Sequence, residues 1–303
     1  MARTSIPVRS WFGKEYGAFK RINKNCSVVQ SKVGQVFILT IYDMRDTMKV
    51  VILAGGFGTR ISEESVFKPK PLIDIGGKPI LWHIMKYFSC FGFNEFLILG
   101  GYKQEQLKSY FNNYFLSTSD VTFDMKNGQV VIQEKRTEPW SVTVLDIGLN
   151  TMTGGRIKRA KRYLEDSSFM VTYGDGVSDV DLNKLISFHE HSRKIATITA
   201  VMPGGRFGAL DIGENGILNG FREKKKEDAG WINGGYMVME PSLFDYIDGD
   251  GSSLEKEPFE KLVADQELSA YKHFGFWQCM DSMKDRNYLE GLISNGSAPW
   301  MKW

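Results

Sequence analysis

Residues 49–60 read Lys49-Val-Val-Ile-Leu-Ala-Gly-Gly-Phe-Gly-Thr-Arg60, an apolar run that breaks abruptly into glycine. Four consecutive aliphatic residues, Val50 to Leu53, have the character of a strand buried on both faces, the strand type of a parallel sheet. Gly55, Gly56 and Gly58 then let main-chain N–H groups approach an anion with no Cβ in the way, and Arg60 adds a forked cation. Lys68-Pro-Lys-Pro71 follows shortly, with prolines that are expected to hold the two lysines extended. The order is not the Gly-x-x-x-x-Gly-Lys-Ser/Thr of a Walker loop, and Ile61 stands where a dinucleotide fingerprint needs its third glycine. A phosphate-binding loop of another design is implied.

Strand and helix patterns alternate after this loop. Periodicity predicts strands at 49–53 and 96–99, helices at 79–91 and 104–115, a hairpin of 121–125 with 130–133 turning at Asn127-Gly128, and a strand at 142–146. A helix at 153–163, a strand at 169–173, a helix at 181–193 and a strand at 196–201 follow. Beyond Pro203 the pattern becomes short strands with glycine turns, at 207–212, 217–221 and 231–239, read as antiparallel additions packed on the main sheet. Helices at 258–264 and 283–293 complete the chain. The fold class is therefore α/β, a Rossmann-like, mostly parallel sheet flanked by helices with short antiparallel additions in its second half.

Composition excludes several classes. The 303 residues carry 38 Lys and Arg against 36 Asp and Glu, so no overall charge draws the chain to nucleic acid, and any anion site must be local. No apolar run approaches the ~20 residues that span a bilayer, so no membrane insertion is expected. Three scattered cysteines, Cys26, Cys90 and Cys279, indicate neither a disulfide framework nor a zinc site, and a cytoplasmic location is expected. Residues 1–47 hold scattered basic residues but no signal-peptide pattern. They are expected to be a dispensable or disordered extension, the alternative being an arm that docks on a neighbouring subunit, with the working domain at 48–303.

The loop Leu53-Ala-Gly-Gly-Phe-Gly-Thr-Arg60 with Lys68-Pro-Lys-Pro71 resembles the signature of sugar-1-phosphate nucleotidyltransferases. Glu138-Pro-Trp140, Met152-Thr-Gly-Gly-Arg156, Thr172-Tyr-Gly-Asp-Gly176, Gly205-Arg-Phe-Gly-Ala-Leu-Asp211, Ile232-Asn-Gly-Gly235 and Gly275-Phe-Trp-Gln278 with Met280-Asp281 are similar, in that order, to the glucose-1-phosphate cytidylyltransferase subfamily. The resemblance covers residues 48–303. It implies a GT-A-like nucleotidyltransferase fold, CTP and glucose 1-phosphate as substrates, CDP-glucose and pyrophosphate as products, Mg2+ as cofactor, and a homo-oligomer serving surface polysaccharide synthesis.

Open α/β sheets bind ligands beyond the carboxyl ends of their strands, where the 55–60 loop and the 173–176 segment both fall. Asp175 follows an apolar run between two glycines, the setting of either a turn-forming Asp or a metal ligand; the order of the motifs favours the metal. Asp281 takes the second metal position through the resemblance. Arg60 and Lys70 are assigned to the triphosphate, Lys70 through the resemblance. With Asp175 these form the catalytic set, because nucleotidyl transfer needs shielding and alignment of charge rather than a nucleophilic side chain. Leu53, Ala54, Gly55, Gly56, Phe57, Gly58, Thr59 and Gly174 complete the nucleotide loops, with Thr151 and Arg156 beyond. Arg156 reads either as an anion ligand beside a helix N-terminus or as part of a solvated basic face with Lys158, Arg159, Lys161 and Arg162.

Glu223-Lys224 resembles the Glu-Lys-Pro motif that holds sugar and phosphate, except that Lys225 replaces the proline and leaves Lys224 and Lys226 as competing registers. Asn233 and Gly234 are placed on the hexose. His189 and His191 are expected at the surface. Three other readings remain: a uridylyl- or thymidylyltransferase, a non-catalytic sugar-nucleotide binding subunit, and a nicotinamide-dependent oxidoreductase, the last disfavoured by the incomplete glycine fingerprint.

Overall fold

The computed structural model describes residues 48–303 except 59–60, 135–136, 204–207, 213–217 and 224–229. Its first strand, β1 (Val50–Ala54), is buried along its whole length. A short ribbon of β2 (Asp74–Ile75) and β3 (Lys78–Pro79) leads to the helix Ile80–Cys90 and then to β4 (Glu95–Gly100). The helix expected over 104–115 is two helices, Gln104–Asn112 and Tyr114–Thr118, because Asn113 leaves the helical region at φ −92°, ψ 0°. Asn competes poorly for helix interiors, its amide favouring local bonds outside them. The hairpin of β5 (Asp120–Asp124) and β6 (Gln129–Glu134) forms as expected, but only Gly128 takes a positive φ. Asp124 organises the rest of the turn, accepting the N–H groups of Lys126 and Asn127.

After β7 (Ser141–Asp146), the helix Thr153–Arg159 stops short of its expected end and a turn of 3-10 helix covers Lys161–Tyr163. Next come β8 (Phe169–Tyr173), β9 (Gly176–Ser178), the helix Leu182–Ser192 and β10 (Ala196–Val201). The helix starts at Asp181, whose carboxylate caps Asn183 and Lys184. β11 (Gly208–Ile212) and β12 (Leu218–Glu223) pair as a separate ribbon, whereas β13 (Ile232–Met239) joins the main sheet. The chain ends with the helix Glu257–Ala264, β14 (Leu268–His273), β15 (Trp277–Cys279) and the helix Met283–Ser294.

The seven-stranded sheet runs β14-β10-β13-β8-β1-β4-β7, with β13 antiparallel to both neighbours and every other pairing parallel. The third of the expected antiparallel additions is therefore an internal strand, which its buried run from Gly234 to Met239 allows. Both faces are covered. Val50, Ile52, Phe96 and Ile98 point into one core, and Val51, Leu53, Leu97 and Leu99 into the other. Fully burying each such side chain is worth about 1.5–3 kcal/mol, which holds the sheet between its helices.

From β1 the chain moves outward to β4 and β7, then returns to lay β8 on the opposite side of β1. The strand order thus reverses between β1 and β8, and their carboxyl-end loops diverge there to leave a crevice. No helix among the described residues is long and apolar enough to cross a membrane.

Candidate active site

Two carboxylates and one ammonium meet in that crevice. Lys70 Nζ lies 2.6 Å from Asp175 Oδ2 and 2.6 Å from Asp281 Oδ1. Asp175 precedes β9 and Asp281 follows β15, and these two strands pair antiparallel with Gly176 opposite Cys279. The Met280 N–H donates to the Asp175 carbonyl at 2.8 Å, so the pairing sets both acids side by side. Asp285 fixes the Asp281 turn by accepting its N–H at 3.1 Å and the Ser282 hydroxyl at 2.8 Å, while Gln278 donates to its other oxygen at 3.0 Å.

Lys70 arrives on a turn of 3-10 helix, Lys70–Leu72, rather than on an extended segment. Gly174 permits its approach: a Cβ there would lie 3.0 Å from Pro71 Cγ and 3.2 Å from the Leu53 carbonyl oxygen. Burial is the largest single influence on the Lys70 ammonium and works against its charge. The charges and hydrogen bonds of Asp175 and Asp281 together overturn it and raise the lysine above its ordinary pKa. Lys68, by contrast, pairs with Asp74 at the surface.

On the β1 side, the Gly58 carbonyl accepts the Ser65 hydroxyl and the Ile61 N–H, with Gly58 at φ +66°. Gly56 has no neighbour within 4 Å of where a Cβ would stand, whereas a Cβ on Gly55 would fall 1.5 Å from an Arg156 guanidinium nitrogen. Arg156 is 7% exposed and donates from Nε to the Thr151 carbonyl at 2.7 Å. Burial lowers its pKa. The guanidinium therefore lies directly on the glycine loop, desolvated against Gly55.

A cleft of about 270 Å³ opens beside the acids, walled by Tyr173, Asp175 and Gly176 and by Gly234, Trp277, Cys279 and Asp281. The Trp277 indole donates to the Gly234 carbonyl at 2.7 Å. Cys279 donates its S–H to Asp281 Oδ2 at 3.6 Å, and burial, reinforced by the nearby acids, pushes the thiol up to about 12. It is no nucleophile near neutrality.

Residues 49–281 match the nucleotidyl transferase family. The chain belongs to that family. It is 53% identical over 257 residues to the glucose-1-phosphate cytidylyltransferase of Salmonella typhi, an alignment covering 84% of this chain and all of the relative. It is 43% identical, with the same coverage, to a probable glucose-1-phosphate cytidylyltransferase of Bacillus subtilis (strain 168). Among solved structures, HddC from Yersinia pseudotuberculosis superposes with a TM-score of 0.58 at 25% identity, over 81% of this chain and 99% of the other.

The nucleotidyl transferase fold brings together Lys70, Asp175 and Asp281, and separately Gly55 and Arg156. Leu53 and Ala54 point their side chains into the core, leaving only backbone for a nucleotide. Phe57 is exposed, with its ring 5.6 Å from that of Tyr102. Arg156 does not share a solvated basic face: Arg159 is paired with Asp250, and Lys158 binds the Ile247 carbonyl. At the start of the Arg156 helix, the Gly155 N–H donates to the Ser252 carbonyl at 3.1 Å. Thr151 is buried and its hydroxyl donates to the Ile147 carbonyl, so its visible task is to hold Arg156.

The Asn233 amide oxygen accepts the Gly235 N–H at 2.9 Å, and Gly234 is packed too tightly against Val201 for any Cβ. Thr59, Arg60, Lys224 and Lys226 lie outside the described residues, and Glu223 is placed only as the last residue of β12. His189, expected at the surface, is buried between Thr197 and Glu240, 2.8 and 3.0 Å from its ring nitrogens. Sequence reasoning also missed Asp285, although Ser282 three residues before an acid is a legible N-cap pattern. Tyr173, which begins the 173–176 segment expected at a ligand-binding strand end, lines the cleft.

Proposed function

We propose that the chain transfers a cytidylyl group from CTP to α-D-glucose 1-phosphate, releasing pyrophosphate and forming CDP-glucose. The observation that carries this reading is the convergence of Asp175 and Asp281 on the Lys70 ammonium at the strand-order switch. Its choice of substrates is supported by the names of the cytidylyltransferases that match at 53% and 43% identity.

A sugar phosphate oxygen attacks the α-phosphorus of CTP; the new P–O bond forms as the bond to pyrophosphate breaks, and pyrophosphate leaves with the electron pair. The acceptor is already ionised, so no side chain needs to take a proton. Lys70, protonated by its surroundings, offers its ammonium to phosphate oxygens, and Arg156 offers a guanidinium whose desolvation strengthens its hold on an anion. Asp175 and Asp281 already hold one cation between two carboxylate oxygens, a donor set that suits Mg2+. When bound there, Mg2+ would neutralise phosphate charge. Asn233 and the cleft beside Trp277 take the hexose, with Glu223 and Lys224 toward its hydroxyls and phosphate. The working unit is residues 48–303, in a cytoplasmic homo-oligomer.

The test is pyrophosphate release across four nucleoside triphosphates and several sugar 1-phosphates. CTP with glucose 1-phosphate should exceed every other pair. Preference for UTP or dTTP would replace the base assignment, and absence of release with binding intact would make the chain a sugar-nucleotide sensor.

A further inference from the structure

Tyr173, the last residue of β8, forms part of the cleft wall. Its ring lies so close over Gly235 that a Cβ there would come within 2.4 Å of Cδ2, and Gly235 takes φ +80° in making that approach. The phenol donates to Oε1 of Glu255.

The other Glu255 oxygen accepts the hydroxyls of Thr153 at 2.6 Å and Ser253 at 2.9 Å. Thr153 is the first residue of the helix that carries Arg156, and its hydroxyl oxygen also accepts the Leu254 N–H at 2.9 Å. One carboxylate therefore connects a wall residue of the acceptor cleft to the helix whose arginine lies on the glycine loop. Together these connections make a short path between the two sides.

We propose that Glu255 is a positioning residue that couples the two subsites, holding Tyr173 and Thr153 on one carboxylate so that CTP on the Arg156 side orders the wall against which the sugar phosphate binds. The proposal rests on the substrate assignment made above. Coupling of this kind is a free energy shared by two ligands and must appear in their mutual affinities.

Calorimetry of glucose 1-phosphate binding to the full chain, with and without a saturating CTP analogue carrying a methylene between its α- and β-phosphorus atoms, reads it directly. The analogue should tighten sugar phosphate binding about fivefold or more. Glu255→Ala and Thr153→Val should each cut that enhancement to below about twofold, while the affinity for each ligand alone and the melting temperature stay close to those of the unaltered chain. Glu255→Gln keeps one acceptor oxygen and should retain part of the enhancement. In turnover, Glu255→Ala should raise KM for glucose 1-phosphate more than it lowers kcat. Undiminished coupling in Glu255→Ala, no coupling in the unaltered chain, or equal loss of both separate affinities would overturn the proposal. An unaltered chain that binds neither ligand would instead overturn the substrate assignment, and this coupling with it.

Discussion

The Lys70 ammonium lies 2.6 Å from Oδ2 of Asp175, a residue 105 positions further along the chain, and the same nitrogen reaches Asp281. The two carboxylate oxygens stand no further apart than twice that distance and share one cation. A lysine in this place offsets part of the charge of the two acids, and in the proposed reaction its ammonium would also meet triphosphate charge.

Asp175→Asn and Asp281→Asn should each leave the fold intact and lower turnover steeply, with the loss falling mainly on kcat. The amide keeps the shape of the side chain but removes the charge that pairs with Lys70 and that the proposed Mg2+ would require. Initial rates at several magnesium concentrations, alongside melting curves, check this. Near-normal rates for both variants would remove them from the catalytic set.

Lys70→Ala should weaken CTP more than glucose 1-phosphate. A charge-assisted hydrogen bond to phosphate is worth about 1.5–3 kcal/mol, or on the order of tenfold to a hundredfold in affinity. Lys224→Ala should show the opposite preference. Calorimetry with each substrate singly decides the matter, and a sugar phosphate defect in Lys226→Ala instead would assign the other register.

Gly55→Ala and Gly56→Ala should differ. At Gly55 the added methyl meets the Arg156 guanidinium at 1.5 Å, so the arginine must move and both stability and CTP binding should fall. At Gly56 nothing lies within 4 Å, so the melting temperature should hold while KM for CTP rises. Equal melting losses would show that Gly56 is packed in solution.

Glu240 lies below the ordinary carboxylate pKa, first because His189 hydrogen bonds it, against an opposing effect of burial and with help from Ser168. A depressed folded-state pKa stabilises above the unfolded value and loses that contribution as pH falls through the folded one. The melting-temperature gap between the chain and Glu240→Gln should therefore be full above its reference pKa of 4.5 and close as the solution is acidified further. A gap that is constant down to strong acid would rule out this linkage.

A chain beginning at Met48 should fold and turn over like the full one, because the family match starts at residue 49. Melting temperature, oligomer size and rate compare the two. A large loss in any of them would make residues 1–47 an integral part.

Local pattern was enough for β1 to within a residue, for β8 and β10 to the residue and for the Asp124–Gln129 hairpin, because burial period and turn residues act within a few positions of the chain. The motif order also named Asp175, Asp281 and Lys70. Their meeting was another matter. It depends on β8 returning beside β1, on β9 finding β15 some hundred residues later, and on Pro71 fitting against Gly174. The insertion of β13 between β10 and β8, the burial of His189 and the Glu255 link between Tyr173 and Thr153 were likewise decided only in three dimensions. Side-chain alternation tells a strand which faces to bury, but which strand lies beside it is chosen by long-range packing, and a site built from two strand ends and a distant 3-10 turn exists only once that choice has been made.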